Sequence, residues 1–141
     1  MLILICNVGS TSLKYKLFKM PDTAIMIEAK IERVGSADNA IFSYQNNLNG
    51  AKENFTGLCV PSYTEGINLF LKHLTDPEKG AISDVKQVEA IGFKTVIAKG
   101  YYGIHELTDE VIAAMEEYIN VAPAHNPPYR GYQKIQGNIA R

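Results

Sequence analysis

Residues 1–19 constrain the fold of this chain more than any other stretch. An apolar run, Met1-Leu-Ile-Leu-Ile-Cys6, passes into the polar segment Asn7-Val8-Gly9-Ser10-Thr11-Ser12, after which Leu13, Tyr15 and Leu17 alternate with Lys14, Lys16 and, further on, Lys19. Side chains of a strand point to opposite faces in turn, so an apolar run, a glycine-bearing turn and a period-two run read together as a β-hairpin.

The turn of that hairpin carries the chemistry. Asn7, Ser10, Thr11 and Ser12 offer an amide and three hydroxyls, and Gly9 removes a Cβ where a ligand approaches the backbone. Such a turn can cradle phosphate through N–H and O–H donors. The same residue types also make an ordinary solvated turn, and local composition alone favours that reading. Neither the G-x-x-x-x-G-K-[ST] loop nor the G-x-G-x-x-G fingerprint is present.

Beyond the hairpin, Pro21-Asp22 marks a turn and Ala24–Arg33 reads as a third strand, giving an antiparallel meander. Ala40–Gln45 and Lys52–Thr56 flank Asn46-Asn-Leu-Asn-Gly50 and read as a second hairpin that decorates the sheet or forms its edge. Ser62-Tyr-Thr-Glu65 is a capping-box pattern opening a helix with Ile67, Leu69, Phe70, Leu71 and Leu74 on its apolar side, ended by Asp76-Pro77. His73 near its end reads as a solvated histidine favoured by the helix dipole. A strand is expected over Gln87–Ala98, then the glycine-punctuated loop Lys99–Gly103, with His105 as a loop residue. Thr108 caps a helix with Val111, Ile112, Met115, Tyr118, Ile119 and Ala122 along one stripe, with Glu116 and Glu117 solvated. Pro123 ends it, Ala124–Pro128 is expected to be extended, and a last helix runs through Gln133, Ile135 and Ile139.

Two motifs in this order carry a family resemblance. The run Asn7-x-Gly9-Ser10-Thr11-Ser12-Leu13-Lys14 after an N-terminal apolar strand resembles the opening of the acetate kinase family, within the superfamily that joins acetate and sugar kinases to the actin-like ATPases. Downstream, Thr108-Asp-Glu-Val-Ile112 leading to Ala122-Pro123-Ala124-His125-Asn126-Pro127-Pro128 is similar to that family's A-P-x-H-N-P-x segment behind an acidic helix. The resemblance implies an α/β fold: a ribonuclease H-like mixed sheet, an antiparallel N-terminal meander plus a parallel strand, with flanking helices, as an incomplete domain of an actin-like ATPase. It covers essentially all of residues 1–141 but only a fraction of the family's length, so the nucleotide-binding second domain is expected to be absent and the chain alone inactive.

The resemblance also implies roles. Asn7, Ser10, Thr11, Ser12 and Lys14 contact phosphate, Asn7 lies near magnesium, and His125 donates to the transferring phosphoryl group from a segment that two prolines make rigid. Lys94 stands where the family has an arginine. The family's G-H-R-V-V-H-G-G reads here Gly92-Phe93-Lys94-Thr95-Val96-Ile97-Ala98-Lys99, so Phe93 and Ile97 replace histidines and Ala98 and Lys99 replace glycines. Lysine keeps the charge and loses the planar fork. The implied reaction passes phosphoryl between MgATP and a short-chain carboxylate in organic acid metabolism, with a second subunit or a homodimer completing the cleft. The competing expectation is a catalytically inactive remnant that binds a partner or assembles, which the replacements at Phe93, Lys94 and Ile97 favour.

Composition limits the alternatives. A net charge of -1 gives no electrostatic case for nucleic acid or an anionic membrane, and no apolar run has the length of a membrane span or a signal core, so a cytoplasmic protein is expected. The two cysteines, Cys6 and Cys59, are expected as buried reduced thiols, and without a C-x-x-C or a dense His/Cys cluster no structural zinc is expected.

Overall fold

The computed structural model describes residues 1–94 and 98–118. Strands β1 (Leu2–Val8), β2 (Ser12–Lys19), β3 (Ala24–Glu32), β4 (Ala40–Asn46) and β5 (Lys52–Leu58) precede helix α1 (Tyr63–Leu74), and strand β6 (Ala90–Lys94) and helix α2 (Asp109–Glu116) follow. The strands form one six-stranded sheet in the order β5-β4-β3-β2-β1-β6. The first five pair antiparallel with their neighbours, and β6 returns parallel to β1 on its free side. This is the mixed sheet with flanking helices that the sequence predicts, and the second hairpin forms its edge.

The alternation in the sequence becomes the two faces of the sheet. Leu4, Cys6, Val8, Leu13, Tyr15, Leu17, Ile27, Ala29, Ile31, Phe42 and Tyr44 are buried on the core face. Lys14 and Lys16 point outward between them, because adjacent residues of a strand face opposite ways.

Helix α1 covers the core face. Ser62 accepts from the Thr64 amide as N-cap and its hydroxyl donates to Glu65, so the two residues of the predicted pattern meet side chain to side chain instead of through the reciprocal backbone contacts of a capping box. Gly66, Ile67, Phe70 and Leu74 form the buried stripe. The Phe70 ring stacks on Tyr15 at 4.0 Å between centroids and 4° between planes. At Gly66 the helix comes so close that an added Cβ would lie 2.7 Å from Leu13 Cδ1. Asn46, the buried polar side chain at the end of β4, donates to the carbonyls of Lys79 (2.9 Å) and Gly80 (3.2 Å), fixing the segment that leaves α1. Val111, Ile112 and Met115 of α2 join the same core.

Four expectations need correction. The strand expected over Gln87–Ala98 begins at Ala90, after a single 3-10 turn, Val85–Gln87, closed by an Asp84–Gln87 capping box; residues 95–97 lie outside the described set. His73 is not solvated: Phe42, Tyr44 and Phe55 surround its ring at centroid distances of 4.8, 5.5 and 5.7 Å, and its Nε2 is 3.7 Å from Glu53. An edge hairpin folding over the end of α1 supplies those rings, which periodicity within the helix cannot reveal. Cys59 is exposed, whereas Cys6 is buried and burial pushes its thiol pKa up; both are free. Helix α2 ends at Glu116, with Glu117 and Tyr118 in a turn; Ile119 and Ala122 of the expected stripe, and the expected last helix, lie outside the described residues.

Among the described residues, no helix is long and apolar enough to cross a membrane. Because the Tyr15–Phe70 stack carries the docking of α1, Phe70→Ala should cost about 3–5 kcal/mol and lower the thermal midpoint by roughly 10–15 °C. A loss under about 1 kcal/mol by chemical denaturation would show that α1 is held elsewhere.

Candidate functional site

Asn7 is the penultimate residue of β1, and the two neighbours of that strand fix its surroundings. Antiparallel pairing sets Asn7 opposite Lys14 of β2, and parallel pairing sets it opposite Lys94 of β6. Directly paired residues share a face, so Lys94, Asn7 and Lys14 form one row on the outer face of the sheet. Two strand spacings put the outer members about 10 Å apart at Cα, and lysine side chains of ordinary reach can both lean over the central amide. Both lysines are exposed and Asn7 is half-buried.

The turn that follows sits at the end of this row. The Gly9 amide donates to the Ser12 carbonyl at 2.8 Å, closing the turn. A Cβ on Gly9 would lie 2.8 Å from Ser12 Oγ, so glycine is what lets the Ser12 hydroxyl stand over the turn. Ser10 and Thr11 are exposed at its tip. The Tyr63 hydroxyl, on the first residue of α1, reaches the carbonyls of Gly9 (2.8 Å) and Ser10 (2.5 Å). Sequence reasoning missed Tyr63, which appears there only as an interior position of a capping box.

Behind the row the outer face is concave, a hollow of about 660 Å³ lined in part by Ile5, Asn7, Lys14, Lys16, Lys30 and Lys52. Its floor is partly neutralised: Lys16 pairs with Glu28 at 3.0 Å and Lys30 with Glu32 at 2.7 Å. The Lys30 contact, with Arg33 and Lys14 nearby, holds the Glu32 carboxyl below its usual pKa. Lys14 faces Lys30 across the β2–β3 pair. Opposed like charges are unfavourable, and a bound anion relieves them.

The structure thus brings together Asn7, Ser10, Thr11, Ser12, Lys14 and Lys94. His125 lies outside the described residues. Among the replaced family positions, Phe93 belongs to the other face: it pairs with Cys6 and packs against the core. Its ring therefore fills core space instead of altering the row, and Gly92 beside it makes room for Ile5, since a Cβ there would meet Ile5 Cδ1 at 2.7 Å. Lys99 is ion-paired to Glu117 at 2.8 Å, which accounts for its charge away from the row. His105 meets the Tyr102 carbonyl at 2.7 Å and remains a loop residue.

The donor set suits an anion better than a metal ion. Magnesium asks for several oxygens, mostly carboxylate, phosphate or water, and Asn7 offers one amide oxygen between two ammonium groups. Among the described residues, no group of three or more His, Cys, Asp or Glu side chains could hold a metal ion. Amide N–H, hydroxyls and ammonium groups all donate, which is what the oxygens of a phosphate require.

Comparison with known proteins bears on the family and the fold. Residues 2–138 match the acetokinase family. The acetate kinase of Symbiobacterium thermophilum is 38% identical over 128 residues, and that of Halothermothrix orenii 34% over 128; each match covers 90% of this chain and 31% of the relative. In solved structures, Porphyromonas gingivalis acetate kinase superposes with a TM-score of 0.82 at 30% identity, over 96% of this chain and 34% of that one. A propionate kinase from Francisella tularensis superposes with a TM-score of 0.74 at 19% identity, a likeness of fold. The chain thus spans about a third of the length of the relatives it matches.

The contact between Gly9 and Ser12 can be tested by a double-mutant cycle. Gly9→Ala should cost about 1–2 kcal/mol in the wild-type background and less than about 0.5 kcal/mol in Ser12→Ala, where the opposing hydroxyl is gone. Equal costs in both backgrounds, by denaturant titration, would place the strain elsewhere.

Proposed function

The chain belongs to the acetokinase family, and from that membership we propose that it is an acetate-kinase-like phosphotransferase domain, one wall of a cleft in which phosphoryl passes between ATP and the carboxylate of a short-chain acid. The observation that carries this reading is the row Lys94–Asn7–Lys14, set in register at the end of β1 beside the Gly9–Ser12 turn.

Transfer between a phosphate and a carboxylate brings two anions together, so a protein catalyses it chiefly by alignment and by neutralising charge. Nucleotide, when bound, supplies the γ-phosphoryl group. On this chain, Lys14 and Lys94 approach from the two sides of Asn7 and reduce repulsion between the phosphate and the incoming carboxylate. The Asn7 amide donates between them, and the hydroxyls of Ser10, Thr11 and Ser12 take phosphate oxygens at the turn. Lys94 supplies one point charge where a guanidinium offers a two-pronged contact, so it fixes the acceptor less rigidly than an arginine does. His125 is proposed as a further donor to the transferring group. The rest of the cleft, the cations that accompany the nucleotide and the acceptor pocket belong to surfaces beyond these residues, and a cytoplasmic setting suits both substrates.

The alternative of an inactive binding module loses one of its supports. Phe93, which replaces a family histidine, faces the core, so that departure leaves the phosphate side of the row intact.

Acetyl phosphate carries both reacting groups and should bind the chain more tightly than inorganic phosphate or acetate, as read by amide shifts at Asn7–Lys14 in an NMR titration. Asn7→Ala should weaken acetyl phosphate by at least about tenfold, the scale of a lost hydrogen bond to a charged group. Binding unchanged in Asn7→Ala, or no preference for acetyl phosphate over phosphate, would overturn the proposal.

A further inference from the structure

The backbone of the turn shows a regularity that the side-chain donors do not explain. Its successive carbonyls are all engaged from within the protein. Those of Gly9 and Ser10 accept from the Tyr63 hydroxyl at 2.8 and 2.5 Å, that of Thr11 from the Val34 amide at 2.9 Å, and that of Ser12 from the Gly9 amide at 2.8 Å. A tyrosine hydroxyl has one proton, so two carbonyls share it in a three-centre contact.

The direction of these contacts matters. Tyr63 belongs to α1, which lies on the core face, whereas Asn7, Ser12 and Lys14 belong to the outer face. Carbonyl oxygens carry negative charge and repel an anion. Drawing those of Gly9 and Ser10 toward α1 takes them away from the row, and a turn whose carbonyls point one way presents its N–H dipoles the other way. Tyr63 is half-buried and burial raises the pKa of its hydroxyl, so it stays a donor at neutral pH.

We infer that Tyr63 is a positioning residue of the anion site, holding the carbonyls of Gly9 and Ser10 on the core side so that the turn offers donors to a phosphate on the outer side. The inference rests on the reading of the turn as the phosphate side of the cleft. It links residues 53 and 54 positions apart in sequence, so that docking of α1 and competence of the turn are one event.

Inorganic phosphate titrated into the 141-residue chain, followed by the amide shifts of Ser10, Thr11 and Ser12, tests it. Tyr63→Phe keeps the ring and removes only the hydroxyl. Its affinity for phosphate, measured well below the thermal midpoints of both proteins, should fall about five- to tenfold, the scale of one lost hydrogen bond. In the unliganded variant the Ser10 and Thr11 amides should already be displaced from their wild-type shifts. A purely structural tyrosine would lower the thermal midpoint and leave the affinity unchanged; equal affinities within twofold overturn the inference alone. If phosphate moves no turn amide in the wild-type chain, the phosphate reading itself fails, and the inference falls with it.

Discussion

The pairing of β1 on both its edges is the constraint from which the rest of the structure follows. Its antiparallel bonds to β2 come almost for free once the turn forms, since the two strands are joined by a short connection. Its parallel bonds to β6 close a long connection that contains α1, and so cost more chain entropy. The register of both ladders is set by which residues must be buried. Cys6 has to face the core between Tyr15 and Phe93, and this choice sends Asn7 outward between Lys14 and Lys94. A slip of one residue on either side would bury a lysine and expose an aromatic ring. The candidate site is therefore a by-product of hydrophobic register, which makes its geometry as robust as the core itself.

Helix α1 contributes in two places along its length. Near its middle, Gly66 and Phe70 bring it hard against Leu13 and Tyr15 of β2, the strand that carries Lys14 on its other face. At its first residue, Tyr63 holds the backbone of the turn. The same helix thus supports the turn and the strand beside it from the core side of the sheet. Its far end is held at the opposite edge of the sheet, where His73 sits among three aromatic rings of β4 and β5 and Asn46 ties down the exit segment. The second hairpin thus holds the far end of this helix and also lines part of the hollow behind the row, through Lys52 among others.

Departures from the family pattern carry different weights once they are assigned to faces. Phe93 and Lys94 are neighbours in sequence and replace neighbouring family residues, yet one fills the core against Cys6 and the other stands in the row. Of these two, it is Lys94 that stands in the row, where a lysine retains the charge of the family's arginine and changes the shape of any contact it makes. Lys99, a cation added where the family has glycine, is taken up by Glu117.

Much of this was legible in the residues themselves. Alternation in residues 13–17 named the faces of β2, Gly9 and its hydroxyl neighbours marked the turn, and the capping patterns at Ser62 and Thr108 located the starts of both helices. These are local signals, in which one stretch of backbone states its own preference. Partners were not legible in the same way. Periodicity says that a side chain is buried, and not against what, so the aromatic surroundings of His73, the assignment of Phe93 to the core and the reach of Tyr63 to the turn appeared only with the folded chain. The parallel return of β6 belongs to both accounts: the sequence offered an apolar segment after a helix, and tertiary structure paired it with the free edge of β1, where Phe93 joins the core beside Cys6.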